Sequence, residues 1–564
     1  MEGFKIKGNE EHPDSKLSVL CRGLDKQIER VSPNMELSKS LAAIDQLPVE
    51  LLSKIFTYCI TPYAVRANFN GKRIEGWISF THVCQLWRNV ALNTPSLWTK
   101  PDFRRPTLAS EMLSRSKQAP LTIKFFPYLS SRREWEALGR AFAHIAHIST
   151  LKLPHPIATE IPEDAVSHLT YPAPLLNKLS FCCSVMHRGS GIISIPDQFL
   201  GRHYPKLTHL TFLSCHVPWN SQFLYTLDSL TCFKILWGRT ANYETPTRRQ
   251  LWAILERMPR LRKLKLLDAV PSRVSEPPHS DSIINLPNLR FLGLSSIVAD
   301  CADFLLRISA PHLMTVDFDS CEFGAQNREA MGEELHLLKL AIKSIPMPAE
   351  NDDLYLDIEG IAYEGIAYEG RGLTLQFGPL PSTSVPMDCC TLGDHGPLRP
   401  LLFEAKWSRQ TSYTGDEVIS AFLSSVNLCN LTSLSAYLCQ AALSASTCSK
   451  LFASLERLET VQLGGGTLSN FLSILGSTIP TEPHTPSFPA LQHIHMHGSF
   501  HPNNAILDTL IEACERRKTS RLPIPTVHLL NYKLEDAQRK LLDQHLHGHW
   551  QEESLQMNFT VQVN

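Results

Sequence analysis

The phrase PKLTHLTF, residues 205–212, decides how most of this chain folds. Its apolar residues Leu207, Leu210 and Phe212 are spaced three and then two apart. The closing step of two is the period of a strand that buries one face. The leading leucine turns the chain inward from a loop. The same grammar returns as PLLNKLSF (174–181), PRLRKLKL (259–266), PNLRFLGL (287–294), PHLMTVDF (311–318) and PALQHIHM (489–496). Without the proline it returns as IAHISTLKL (145–153), LDSLTCFKI (227–235), LTSLSAY (431–437) and LERLETVQL (455–463).

Where they are clear, successive phrases start about 23 to 36 residues apart. That spacing lies around the ~20–29-residue period of leucine-rich repeats. Between the phrases sit segments with helical apolar spacing: FLYTLDSL, RRQLWAILERM, CADFLLRISA, GDEVISAFLSSV and SNFLSILGSTI. Strand, loop, helix, strand is the order of a solenoid, in which each unit buries its apolar face against its neighbours. The expected fold class is α/β: a short N-terminal helical domain, then an irregular leucine-rich-repeat solenoid over residues 106–530. Its parallel strands are expected on the concave face and its helices outside. Residues 346–400 interrupt the pattern and read as a mobile insertion. They contain the duplication EGIAYEGIAYEG (359–370) and one surviving strand, LTLQF (373–377). The tail, 531–564, reads as a cap opened by the helix NYKLEDAQRKLLDQHL.

A chain of 564 residues is too long for one ordinary core. A repeat array escapes that limit, because each unit touches only its neighbours. The formal net charge of −1 supplies no field to steer nucleic acid or anionic lipid, so neither is expected as a partner. No apolar run is long enough to span a membrane, and the polar start lacks the apolar core of a secretion signal. The 15 cysteines are scattered and contain no pair of C-x-x-C motifs. Reduced, mostly buried thiols in the cytoplasm or nucleus are the expectation.

The N-terminal part is helical. Residues 1–40 read as a leader with one short helix, broken at Ser32-Pro33. In IDQLPVELLSKIF (44–56), Pro48 suits the first helical position and Glu50 favours the helix dipole. Leu51, Leu52, Ile55, Phe56 and Cys59 make a stripe wide enough to face a core and a second surface. A second helix is expected from Ser79 to Ala91, with Phe80, Val83, Cys84, Trp87 and Val90 on one face. It stops before NTPSLW, where Leu97-Trp98 folds back. So small and apolar a unit is marginal without a partner.

These blocks, Leu47-Pro48-x-Glu50-Leu51-Leu52-x-x-Ile55-Phe56, Val83-Cys84-x-x-Trp87-Arg88 and Pro95-Ser96-Leu97-Trp98, resemble the F-box. The wording is similar to that of F-box-like proteins expanded in mushroom-forming fungi. The resemblance covers about residues 41–100, within a helical domain expected over 41–105, and implies a compact three-helix unit. It also implies docking onto the Skp-type adaptor of a cullin–RING ubiquitin ligase, as the exchangeable substrate receptor. On that reading Leu47, Pro48, Leu51, Leu52, Ile55, Phe56, Val83, Trp87, Leu97 and Trp98 serve adaptor binding. TPYAVRANFNGKRIEGWIS (61–79) departs from the pattern, being longer than the family's usual connection, with Ala64–Ala67 as a residual helix.

Two histidine clusters and a glycine run also stand out in the sequence. HIHMH (493–497) places three imidazoles on one strand face, and HLHGHW (545–550) gathers more at the tail. Neither fixes a carboxylate or cysteine beside them, so no metal is expected. The GGG at 464–466 is followed by Thr467-Leu468, so it is no phosphate loop but a turn leaving a strand. No nucleotide fingerprint, no nucleophile elbow and hence no cofactor or catalytic constellation is legible. A hydrolytic α/β enzyme would need a triad the sequence does not show. The expected function is a non-enzymatic substrate adaptor whose repeats bind a protein substrate. The alternative is a repeat scaffold that works without a ligase.

Overall fold

The computed structural model describes residues 47–59, 76–125, 132–155, 167–183, 198–213, 217–237, 245–273, 283–325, 327–346, 354–365, 368–379, 401–408, 413–438, 443–465, 467–475, 477–479, 482–497 and 504–553. It divides into two compact units, Met1–Leu97 and Trp98–Asn564.

In the first unit, α1 spans Val49–Cys59 and α2 spans Gln85–Leu92. Pro48 precedes α1 rather than opening it, and its carbonyl accepts from the amides of Leu51 and Leu52 at 3.0 and 3.1 Å. The expected helix from Ser79 to Ala91 is split. Gly76–His82 is a 3-10 helix, and Cys84 then adopts an extended backbone as the N-cap of α2. Its sulfur accepts from the Trp87 amide at 3.4 Å. The Arg88 Nε donates across the break to the Thr81 carbonyl at 2.7 Å. Leu52 and Phe56, four residues apart on α1, are buried. Phe56 stacks on Phe80 at 4.7 Å and meets Trp87 at 5.1 Å. The Thr94 hydroxyl lies 3.0 Å from that of Ser53 and ties the end of α2 to α1. The leader and residues 60–75, including Ala64–Ala67, lie outside the described residues.

In the second unit, sixteen strands form one sheet among the described residues. The first eight are β1 (Leu121–Lys124), β2 (Ile148–His155), β3 (Lys178–Cys183), β4 (His209–Leu213), β5 (Cys232–Leu236), β6 (Lys263–Leu267), β7 (Phe291–Ser295) and β8 (Thr315–Glu322). Each pairs in parallel with the next. The rest are β9 (Leu354–Gly365), β10 (Tyr368–Pro379), β11 (Leu401–Ser408), β12 (Leu431–Leu438), β13 (Thr460–Gly465), β14 (His493–His497), β15 (Thr526–Leu530) and β16 (Trp550–Glu553).

All ten repeat phrases end in strands of this sheet, and the reason is visible in the packing. The leading leucines, among them Leu176, Leu207, Leu261 and Leu491, are buried. Just before several of the repeat strands, a backbone bond joins a repeat to the one before it. The Thr208 amide donates to Asn177 at 2.9 Å, that of Thr231 to Thr208 at 2.9 Å, and that of Arg262 to Thr231 at 2.8 Å. The same ladder resumes from Glu459 to Thr432 and from Gln492 to Glu459. Along strands such as β4 and β6, buried residues alternate with half-buried ones. The buried set runs in register across the sheet, as in Leu179, Leu210, Phe233 and Leu264. It forms a single core with the helices between the strands, such as Arg248–Leu255, Val298–Leu306 and Gly415–Leu423. The segment FLYTLDSL gives only a 3-10 turn, Gln222–Thr226, in place of the expected helix.

The interruption is where the structure departs most from the expectation. Instead of a loop with one strand, β9 and β10 form a long antiparallel hairpin inside the sheet. The sheet order there is β8-β11-β10-β9-β12, with β8–β11 and β9–β12 parallel. The apolar positions Leu354, Leu356 and Ile358 alternate in β9, as do Leu373, Leu375 and Phe377 in β10, and all are buried. Residues 347–353, 366–367 and 380–400 lie outside the described residues. At the far end the helix Asp536–Leu546 is followed by β16, so the tail adds a strand as well as a cap.

Candidate interaction surfaces

The ten sequence-derived residues, nine of them in the first unit and Trp98 at the start of the second, separate by burial. Leu52, Phe56, Leu97 and Trp98 are buried, and Leu47 and Trp87 are partly buried. They hold structure rather than present a surface. Pro48, Leu51, Ile55 and Val83 are exposed, Leu51 by 46% and Val83 by 58%. Sequence reasoning missed Val49, Tyr58 and Leu86, which are exposed too, Tyr58 by 78%. Leu51, Ile55 and Tyr58 fall at i, i+4 and i+7 on α1, one step around from the buried pair Leu52 and Phe56. Among the described residues, six of the eleven exposed large apolar side chains belong to this small unit. Concentration on that scale marks an interaction site rather than scattered surface leucines.

On the second unit, the sheet face opposite the helices carries charge in blocks. β1 to β6 present Lys124, Lys152, Lys178, Lys234, Lys263 and Lys265, and these six strands contain no Asp or Glu. Next come carboxylates: Asp317 and Asp319 on β8, Glu404 on β11, Asp357 and Glu359 on β9. The two blocks meet at Lys265, whose Nζ lies 3.3 Å from Asp317 and 3.0 Å from Asp319. Burial works against the Lys265 charge, but the two carboxylates together outweigh it and raise its pKa. Burial also raises Asp317, and Lys265 offsets part of that.

The third block is imidazole. In HIHMH, Ile494 and Met496 are buried, while His493, His495 and His497 share the open face. His528 on β15 stands opposite His495 and stacks on it at 4.3 Å, the rings 10° apart. Its Nδ1 lies 2.9 Å from a Glu553 oxygen. Burial, then the neighbouring His528 and His493, lowers His495 to about 4. Stacked rings direct their nitrogens away from a common point. Among the described residues no group of three His, Cys, Asp or Glu side chains is arranged to hold a metal ion. Tyr437 lies across Gly464, where a Cβ would fall 2.7 Å from its ring, and meets His497 at 4.8 Å. Gly464 and Gly465 close β13, and Gly465 has a φ of +65°. No described helix is long and apolar enough to cross a membrane.

The second unit is thus a mixed α/β array with a largely parallel sheet, like a leucine-rich-repeat solenoid. The first is defined by its own match: residues 44–104 fit the family model described as F-box-like. The chain therefore carries an F-box-like domain followed by a repeat array. Among solved structures, a leucine-rich-repeat protein of Leptospira interrogans is similar at 12% identity, with a TM-score of 0.26. That match covers 76% of this chain and 100% of the other. No curated protein matches the chain in sequence.

Proposed function

We propose that this protein is the substrate-recognition adaptor of a Skp–cullin–F-box ubiquitin ligase, working in the cytoplasm or nucleus. The exposed residues of α1 and the start of α2 dock onto the Skp-type adaptor. The open face of the sheet binds a protein substrate, and ubiquitin transfer falls to the other subunits. The observation that carries this reading is the exposed Leu51, Ile55 and Tyr58 row within the F-box-like match. Exposed apolar area of this kind gains about 25 cal/mol per Å² when a partner covers it.

The test compares two changes on the same helix, each made in the full-length chain. Leu51→Asp with Ile55→Asp alters only exposed positions. Binding to a purified Skp-type adaptor is expected to fall by about a hundredfold, with circular dichroism and melting unchanged. Phe56→Ala removes the ring that Phe80 and Trp87 pack against, at about 3–5 kcal/mol. It should unfold the first unit and lose binding for that reason. A folded native chain that fails to bind the adaptor overturns the ligase reading and leaves a repeat scaffold acting alone.

A further inference from the structure

The lysine block on the open face is ordered. By strand register, Lys124 stands beside Lys152, then come Ser180, Thr211, Lys234 and Lys265, one residue per strand from β1 to β6. Five strand steps of about 4.8 Å make this row about 24 Å long, the length of about seven extended residues. Like charges placed opposite one another on a sheet cost stability. Here they recur at Lys124–Lys152 and Lys234–Lys265 on strands that carry no acid of their own. At the inner end Asp317 and Asp319 hold Lys265.

We propose that this end of the sheet binds an extended acidic segment of a protein ligand. The inference rests on the open face being the substrate-binding surface, and it names the chemistry of that substrate. The lysines meet carboxylates, and the hydroxyls of Ser180 and Thr211 between them supply hydrogen bonds. A single-stranded nucleic acid would also be drawn to the charge. It binds, however, by stacking its bases on aromatic rings, and this row has none.

The experiment measures fluorescence anisotropy of labelled decapeptides, (Glu-Ser)5 and (Lys-Ser)5, and of a ten-residue oligothymidylate, on the full-length chain. The expected result is binding of the Glu peptide alone, lost at roughly 0.5 M salt, where screening is complete within a few ångströms. Lys124→Gln with Lys234→Gln should weaken it about tenfold. These changes relieve repulsion, so the variant should melt no lower than the native chain. Should either fold poorly, Lys124→Met with Lys234→Met keeps the alkyl stems and asks the same question. No binding, or equal binding by native and variant chains, overturns the proposal. Tighter binding of the oligothymidylate with the same lysine dependence overturns it in favour of nucleic acid. Adaptor binding is measured on the same preparations. Adaptor bound without peptide refutes the lysine assignment only, and peptide bound without adaptor refutes the ligase reading only.

Discussion

At the scale of single residues, Gly293 decides where the Lys265 ammonium goes. A Cβ there would sit 2.9 Å from the Lys265 Cγ, so the glycine lets the lysine stem cross β7 and reach β8. Gly293→Ala should displace that stem and cost about 1–3 kcal/mol, read as a lower melting temperature. Lys265→Met leaves Asp317, only 5% exposed, without its cation. The loss should approach about 3 kcal/mol at neutral pH, toward the lower end for breaking a buried pair. Its pH dependence has a definite sign. Burial already raises the Asp317 carboxyl, and losing the lysine raises it further. A raised carboxyl favours the folded state while protonated, so the defect should grow as pH rises from 4 to 7. A defect of equal size at both ends would show that Asp317 is not the group responsible. None of this was legible beforehand, because Lys265, Gly293 and Asp317 are joined only by strand register.

At the scale of elements, the hairpin of β9 and β10 shows which signals the sequence hides. LYLDI and LTLQF both alternate with period two, but a duplicated pentapeptide and Pro/Gly-rich flanks masked the first of them. Register here is set by buried side chains rather than by the tip. Leu356 pairs with Phe377 and Ile358 with Leu375, all inside the core, whereas Gly365 and Tyr368 merely close the far end. Deleting one pentapeptide, Glu364–Tyr368, removes an odd number of residues. The turn must change length by one, because a one-residue slip would expose every core residue of a strand. The expected outcome is an unchanged circular-dichroism spectrum and a melting temperature within a few degrees of native. Phe377→Ala, by contrast, should cost about 3–5 kcal/mol. A deletion as damaging as Phe377→Ala would mean that the tip fixes the register. Cys84 gives the converse lesson. The helical spacing from Phe80 to Val90 is real, yet the chain breaks where a cysteine caps α2.

At the scale of the whole molecule, a net charge of −1 conceals segregation into lysine, carboxylate and imidazole blocks along one sheet face. The imidazole block should make stability depend on acidity. His495 sits at about 4, below the ordinary histidine value, so the folded chain resists a proton that the unfolded chain accepts. Stability is therefore lost as pH falls from about 6.5 toward 4. His497 is lowered by burial and adds in the same direction. Melting measured at pH 7.5 and 5.0 should show a smaller fall for His495→Asn than for the native chain. The same fall in both would remove His495 from the account.

The sequence by itself determined the repeat. Leucines that turn inward and residues that alternate along a strand are local patterns, and local sterics and burial enforce them. It also determined that the stretch around Leu51 and Phe56 is helical, and that three ordered blocks match an F-box-like domain. Only the tertiary structure decided which stripe of that helix faces out. Leu51 and Leu52 are equally apolar, and the choice falls to Phe80 and Trp87, which close over Phe56. Only the tertiary structure, likewise, placed β11 beside β8 and set the lysines in one row. Neighbourhood across a sheet depends on strand order and register, which lie dozens of residues beyond any local pattern.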